Sequence, residues 1–529
     1  MSYVVEQKIR GHIYLYEVQA YWDSEKKQSR QKRRYLGKKD IASGELIPPR
    51  HQAQVIEEQA PPQVYDVGHL YLLKTLAQRC KLTSSLQMAF GAQSEVLLSL
   101  AYYQISESKA FHLYPHWQTE CWPEGLAAMS SQRISDLLLR LSQQNGQINS
   151  FFKTFARQHG PLKGAWLDIT SLSSYATTNS WVEWGYNRDG DDLPQVNLGI
   201  LMGYPAHLPF FYQLYPGSIA DVSTLHNVVL QAQDLEIPVD TWVMDRGFFS
   251  QHNICHMMEQ SLSFVTAMPM RLNETKRLMS VSQASLRSPA HCFCLGKDVL
   301  FYNDTSCHVG TLALRACVYL NEKRRADEMA NFIERLQSIE NTIQNITFTD
   351  KDMIMEWLDQ QWKGCETYFK VTLQKEGKAL LKRKKKALSE RMNLMGKMIL
   401  LTNRKDLSPQ ELLKQYREKD RIEKVFDTLK NDIHEGRLRT HGTQRMQGKM
   451  FVTFLALILY SALSNTIQSH KLLQKYTVQE IMLELKKIRL FITKSAHKPL
   501  LSEISKKQRA ILDAFNLNPN DLSLLNPGI

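Results

Sequence analysis

Between residues 166 and 267 the chain is a succession of short β-type runs, at 166–169, 196–202, 208–214, 242–244 and 264–267, set apart by Gly, Pro, Asn and Asp turns. Helical periodicity brackets them on both sides. Leu70, Leu73, Leu76 and Ala77 repeat at helical spacing upstream, as do Ile134, Leu137, Leu138 and Leu141. Short strands enclosed by helices predict an α/β fold with a mixed sheet.

A chain of 529 residues with 43% hydrophobic composition can bury a large core and hold several structural units. Lys and Arg number 66 against 53 Asp and Glu, a formal charge of +13, which favours a polyanionic partner such as nucleic acid. The eight Cys are too few for a disulfide framework, and no apolar segment follows Met1, so a reducing cytoplasm is expected. The longest apolar stretch, 450–463, is broken by Thr453 and Ser461 and falls short of the roughly 18 residues of a membrane span. It predicts a buried core helix and no membrane partner.

Six regions follow. Residues 1–50 hold a small basic β-hairpin, two extended segments between Lys8 and Lys39 joined by a turn at Asp23 and Ser24. The second segment carries Lys26, Lys27, Arg30, Lys32, Arg33, Arg34, Lys38 and Lys39, a phosphate-tracking surface or a solvated strand face. After a polar linker at 52–64, residues 66–160 form a helical domain that recognises DNA or a second protomer, with Ser131 at a helix N-cap. Residues 161–270 begin a mixed α/β core. Residues 271–397 read as a β-containing insertion packed beside it, with the basic run 382–386 either on DNA or in a solvated loop. The core resumes over 398–468, and 469–529 is helical. Ser408-Pro409-Gln410-Glu411 and Thr477-Val478-Gln479-Glu480 are capping-box patterns that place two helix starts.

Asp168 closes the apolar run Trp-Leu-Asp, and Asp245 closes Trp-Val-Met-Asp just before Arg-Gly. Two strands that end in carboxylates offer hard oxygen ligands to Mg²⁺ or Mn²⁺, and a pair of such ions can activate a water or a 3′-hydroxyl at a phosphodiester. Either Asp alone also fits a turn or a helix cap. A third carboxylate comes from the helix that opens at Ser408. At about 100° per residue, Ile422, Val425, Phe426, Leu429 and Ile433 make its buried stripe, and Tyr416, Lys419, Glu423 and Lys430 line up beside it. A carboxylate flanked by two ammonium groups and a phenol suits a metal with phosphates around it. Lys419 and Glu423 are also an ordinary i,i+4 ion pair.

Tyr416-x2-Lys419-x3-Glu423-x6-Lys430 resembles the YREK signature of bacterial insertion-sequence transposases of the DDE class, with Lys419 where Arg is usual. Lys keeps the charge and loses the planar bidentate fork. The resemblance takes in Leu-Asp-Ile-Thr-Ser-Leu around Asp168, Gly-Tyr-Asn-Arg-Asp-Gly-Asp-Asp-Leu-Pro-Gln-Val from Gly185, Asp-Arg-Gly-Phe-Phe-Ser from Asp245, the apolar helix after Arg445 and, more loosely, Tyr35-Leu36-Gly37-Lys38. It implies an RNase H-like core in which Asp168 and Asp245 lie on adjacent strands and Glu423 on a later helix. All three would be catalytic and hold one or two Mg²⁺ or Mn²⁺ ions, while Tyr416, Lys419 and Lys430 bind DNA phosphates at the element's end. The long interval between Asp245 and Glu423 matches members with a β-rich insertion.

The implied activity is transposition: binding of terminal inverted repeats, metal-dependent hydrolysis at the element boundary, and joining of the 3′-hydroxyl to target DNA. The partners are then double-stranded DNA and a second copy of the chain, in a bacterial cytoplasm. An RNase H-like nuclease that cuts without joining shares the three carboxylates, and a DNA-binding descendant without catalysis would have no need of them. Three further features are open to more than one reading. His291, Cys292, Cys294, Cys307 and His308 lack the usual Cys-x2-Cys spacing of a zinc site. Asp189, Asp191 and Asp192 read as a surface loop near the DNA path, and Asp221 as an N-cap. His441 and Arg445 are placed to reach DNA or to link helices.

Overall fold

A computed structural model describes residues 2–23, 28–40, 44–47, 49, 63–121, 128–283, 285–433, 437–440, 442–471, 473–492 and 499–523. The expected turn at Ser24, Lys26, Lys27, the linker over 52–62 and His441 lie outside these residues. The chain divides into two units, Met1–Tyr65 with Arg489–Ser502, and Asp66–Ile488 with Glu503–Ile529.

The first unit carries an antiparallel sheet in the order Ser2–Ile9, His12–Asp23, Gln28–Lys39, Leu46–Ile47. The expected hairpin is its middle pair. Arg10 and Gly11, both at positive φ, turn the first strand into the second in a two-residue hairpin loop. That first strand escaped the sequence reading because its side chains are almost all exposed, so no apolar alternation marks it.

The second unit is built on one mixed sheet. Its strands are β1 (Gly164–Ser174), β2 (Gln195–Tyr204), β3 (Leu208–Pro216), β4 (Thr241–Met244), β5 (Ser263–Ala267), β6 (Cys292–Leu295), β7 (Asp298–Val309), β8 (Leu312–Asn321) and β9 (Lys397–Thr402), in the order β6-β7-β8-β9-β5-β4-β1-β2-β3. Arg437–Leu438 adds a short parallel pairing to β1. β1, β4 and β5 run parallel, while β2 and β3 fold back antiparallel. The arrangement β3-β2-β1-β4-β5 is the RNase H-like core.

The segment expected as an insertion beside this core lengthens its sheet instead. β9 returns antiparallel to β5, and β8 pairs with β9. The run Ala316–Leu320 is buried throughout, so β8 needs cover on its faces as well as partners at its edges, and the helices Asn273–Ser282 and Glu322–Ile343 pack against it. The rest of the segment has its own core, built on Phe332, Leu336, Ile339, Phe348, Leu358 and Phe369. The basic run 382–386 is split between the strand Ala379–Arg383 and the following helix, with Arg383 bidentate on Glu340.

Three helices complete the frame: α1 (Pro409–Arg417), α2 (Asp420–Asp427) and α3 (Thr443–Ser469). α3 is long and apolar enough to cross a membrane by composition, yet 78% of its most apolar window is buried inside the protein. A helix that is apolar all round must be covered all round. Strand β3 covers one side through Phe454 against Tyr212, and the helices Asn145–His159 and Ser131–Leu141 cover another, with Phe151 and Phe152 against Phe451 and Phe454. Contact with the second of these helices is close enough that a Cβ on Gly448 would lie 1.9 Å from the Leu138 carbonyl oxygen. The helical region 66–160 is thus bound to the core by its apolar face. Its N-cap is Ser130, one residue before the expected Ser131.

Candidate active site

Asp168 lies in the middle of β1, which runs on to Ser174 and so does not end at the carboxylate as its apolar run suggested. What ends there is the neighbouring strand. Leu167 pairs with Met244 in the last β1–β4 register pair, and Asp245 is the next residue, so the two carboxylates emerge side by side from adjacent parallel strands. The polar residues that carry β1 onward are satisfied individually: Ser171 by Arg188 and Asn197, Ser173 by Asn187 and Asp191, and Ser174 by the Leu438 carbonyl.

Their charged and hydrogen-bonding neighbours drive the two acids apart in proton affinity. Asp168 is pushed up to about 6, chiefly by desolvation and further by the charge of Asp245, against a hydrogen bond from the Ile169 N–H. Burial would raise Asp245 too, but the Lys419 ammonium, the Tyr416 hydroxyl and the Arg246 N–H outweigh it and hold that carboxyl below its ordinary value.

The signature helix is not continuous. α1 starts where its capping box predicts, with Ser408 and Glu411 bonded reciprocally and Pro409 in the first turn. The chain then tightens at Glu418 and Lys419, where three-residue hydrogen bonds run from Lys419 to Tyr416 and from Arg421 to Glu418. After α2 it loosens into a π turn at Thr428–Asp432. The expected core stripe is nonetheless buried, at Ile422, Val425, Phe426, Leu429 and Ile433.

The polar stripe beside it is folded inward at Tyr416, Lys419 and Lys430 and leaves the Glu423 side chain exposed. Tyr416 is buried, and its hydroxyl donates to Asp245 Oδ1 at 2.8 Å, where the sequence reading had given it to a phosphate. Lys419 Nζ lies 3.3 Å from Asp245 Oδ1 and 3.4 Å from Glu423 Oε1, so one ammonium joins the second carboxylate to the third. It also sits over the Tyr416 ring. Lys430 Nζ is held by both oxygens of Asp189, at 2.7 and 2.6 Å. Among the described residues no three His, Cys, Asp or Glu side chains stand close enough together to hold a metal ion. Asp168 and Asp245 meet, and Glu423 reaches them through Lys419.

Sequence reasoning missed one member of this site. Arg188 binds Ser171 and Asp221, and its charge acts on Asp168. The signal was in the Asn-Arg-Asp-Gly-Asp-Asp run, where the acids drew attention and the arginine did not. Asp221 is the first residue of the helix Asp221–Asp234, whose N-cap is Ala220, and its carboxylate serves Arg188. Arg445 donates to Ser135 Oγ and so links helices. Cys292 and Cys294 are exposed and Cys307 is buried, and the Cys/His group does not assemble into a site.

Residues 154–459 match the family model of the transposase DDE domain. The chain belongs to the DDE transposase family. A solved structure of piggyBac transposase, in a synaptic complex with hairpin DNA, is similar to this DDE transposase at 9% identity and a TM-score of 0.35, covering 79% of this chain and 76% of that one. No curated protein matches the transposase. The family match spans both Asp-bearing strands, the segment that lengthens the sheet, and α1, α2 and most of α3.

Proposed function

We propose that Asp168, Asp245 and Glu423 are the catalytic carboxylates of this transposase and that they hold Mg²⁺ or Mn²⁺, as two ions. The observation that carries this reading is the meeting of Asp168 and Asp245 at the last β1–β4 pair, with Glu423 tied in through Lys419. The donor set fits the metal: three carboxylates supply only hard oxygens, and the Lys419 ammonium stands among them as a cation would. Bound divalent ions would activate the attacking oxygen and stabilise the leaving one. The chain's own groups prepare the site. Tyr416 and Lys419 keep Asp245 ionised, and the raised Asp168 must give up its proton before it can serve as a ligand.

The reaction is two displacements at phosphorus. Water attacks at the element boundary, forming a new P–O bond as the strand's 3′-oxygen leaves, and that freed 3′-hydroxyl then attacks a target phosphodiester and expels its 3′-oxygen. The duplex is positioned by its terminal inverted repeats. Lys430 grips a phosphate once it leaves Asp189, and Lys419 adds charge beside it. For Tyr416 the bond to Asp245 supports a positioning role above a phosphate contact. Two element ends require two such sites, hence a homodimer on double-stranded DNA, acting for an insertion sequence in a bacterial cytoplasm.

The test is cleavage of an end-containing duplex with Mg²⁺ or Mn²⁺, run beside strand transfer of pre-cut ends. The parent protein should do both, and Asp168→Asn, Asp245→Asn and Glu423→Gln should do neither. Cutting without joining would make the protein a nuclease, and normal cleavage by any of the three variants would remove that residue from the catalytic set.

A further inference from the structure

The segment between β8 and β9 ends in a ribbon of two antiparallel strands, Phe369–Leu373 and Ala379–Arg383, followed by the helix Lys385–Leu394. Its two faces are unlike. Phe369 and Val371 belong to the segment's apolar core, and Leu373, Ala379 and Leu381 pack against it from the same side. Arg383 falls on that inner side too, where Glu340 neutralises it. On the outer face Lys370 stands directly opposite Lys382, and Thr372 opposite Leu380, all four exposed. Lys378 and Lys384 carry the same alternation one step past each end of the second strand, in extended backbone and exposed.

By the register this face holds no acid. Thr347, bridged to Lys378 at the ribbon's edge, is uncharged. Glu366 lies in the turn before the ribbon with its Oε2 buried, and Glu376 lies in the connecting loop next to Lys375. Among the described residues Lys370, Lys378 and Lys382 have no carboxylate partner, and Lys384 donates to the Glu366 carbonyl oxygen at 3.4 Å. The arrangement works against the fold. Like charges directly opposite across two strands repel, and Lys384, Lys385 and Lys386 crowd a helix start, where the dipole disfavours cations. A face that only had to be solvated gains by mixing its signs. At about 3.4 Å per residue, the row from Lys378 through Lys382 to Lys384 covers about 20 Å, the axial span of about six nucleotides of one DNA strand.

We infer that this lysine face is a track for the phosphate backbone of duplex DNA. The inference rests on the reading of the chain as an enzyme that acts on DNA, and it gives the segment between β8 and β9 a share in holding the duplex. Replacing Lys370, Lys378 and Lys382 together with Gln should flatten the slope of log affinity against log salt by about 2.7, at about 0.9 per lost phosphate contact. The charge-keeping set Lys370→Arg, Lys378→Arg and Lys382→Arg should hold the parent slope and match the Gln set in circular dichroism. Lys382→Gln alone should flatten the slope by about 0.9 and melt no earlier than the parent, because its repulsion with Lys370 is gone. Gln variants that keep the parent slope while the same preparations cut DNA with Mg²⁺ overturn the track and leave the catalytic reading standing. A flattened slope in variants of a protein that cuts no DNA supports the track and overturns the catalytic reading.

Discussion

Lys430 reaches back across the site to Asp189, its ammonium 2.6 and 2.7 Å from the two carboxylate oxygens. In the protein without DNA, Asp189 therefore supplies the negative charge that a phosphate would bring. Asp189→Asn should free the lysine and tighten binding to element-end DNA by roughly fivefold, the worth of about 1 kcal/mol for a partly exposed ion pair. Lys430→Ala should weaken binding and flatten the salt slope by about 0.9. Fluorescence anisotropy over a salt series reads both, and an unchanged slope in Lys430→Ala would leave that lysine with a purely internal role.

Tyr416→Phe removes one hydroxyl and leaves the ring packed. If the phenol positions Asp245, the Mg²⁺ concentration for half-maximal cleavage should rise by about 10- to 100-fold, as for other groups that orient a metal ligand, and excess metal should restore the rate. The salt slope of DNA binding should stay at the parent value. A flattened slope with unchanged metal demand would return the phenol to the phosphate role.

Glu423→Gln keeps the shape of the side chain and loses the charge. Cleavage and strand transfer should fall by more than about 100-fold, beyond the loss expected for an orienting group. Binding of end DNA should survive, since Glu423 is acidic and repels phosphate. A gel-shift assay beside a cleavage assay separates the two effects.

The proton on Asp168 predicts a pH dependence of stability. Its folded-state value of about 6 lies above the ordinary 3.8, so the native protein binds this proton more tightly than the unfolded chain does. That contribution is fully present below about 3.8 and is lost as pH rises through about 6. Asp168→Asn is neutral at every pH and should melt above the parent at pH 7 and higher, by about 1 kcal/mol or more. The difference should shrink as pH falls below 6. A constant difference across thermal melts from pH 5 to pH 8 would place the titrating group elsewhere.

Gly448→Ala tests the seat of α3. Its new Cβ would meet the Leu138 backbone carbonyl, which cannot rotate away, so the helices must separate. A cost of about 1–3 kcal/mol is expected, read as an earlier thermal transition.

Much of this architecture was legible because it is local. Capping at Ser408 and Thr477, the buried stripe from Ile422 to Ile433 and the burial of α3 all follow from neighbours a few positions apart. What escaped was set by distant partners. Asp168 resembled a strand end because its apolar run stops there, whereas β1 continues on hydrogen bonds from Arg188 and Asn187 and one to Asn197 that no local pattern displays. β8 read as an insertion strand because nothing near it announces that β9 will come back to pair with it. Tyr416 fell on the right stripe of an ideal wheel, but the tight turn at Lys419 and the π turn at Thr428 change the angle per residue, and its hydroxyl points to Asp245.

The place of β9 between β5 and β8 bears on how such a chain can change its length. The excursion that leaves after β5 comes home as the strand next to it, and α1 and α2 follow within a short loop. Distance along the chain between Asp245 and Glu423 is thereby uncoupled from distance in space. Residues can be gained or lost among the helices between β8 and β9 without re-aiming the third carboxylate, because the anchor that sets its position is a strand pairing and not a tether.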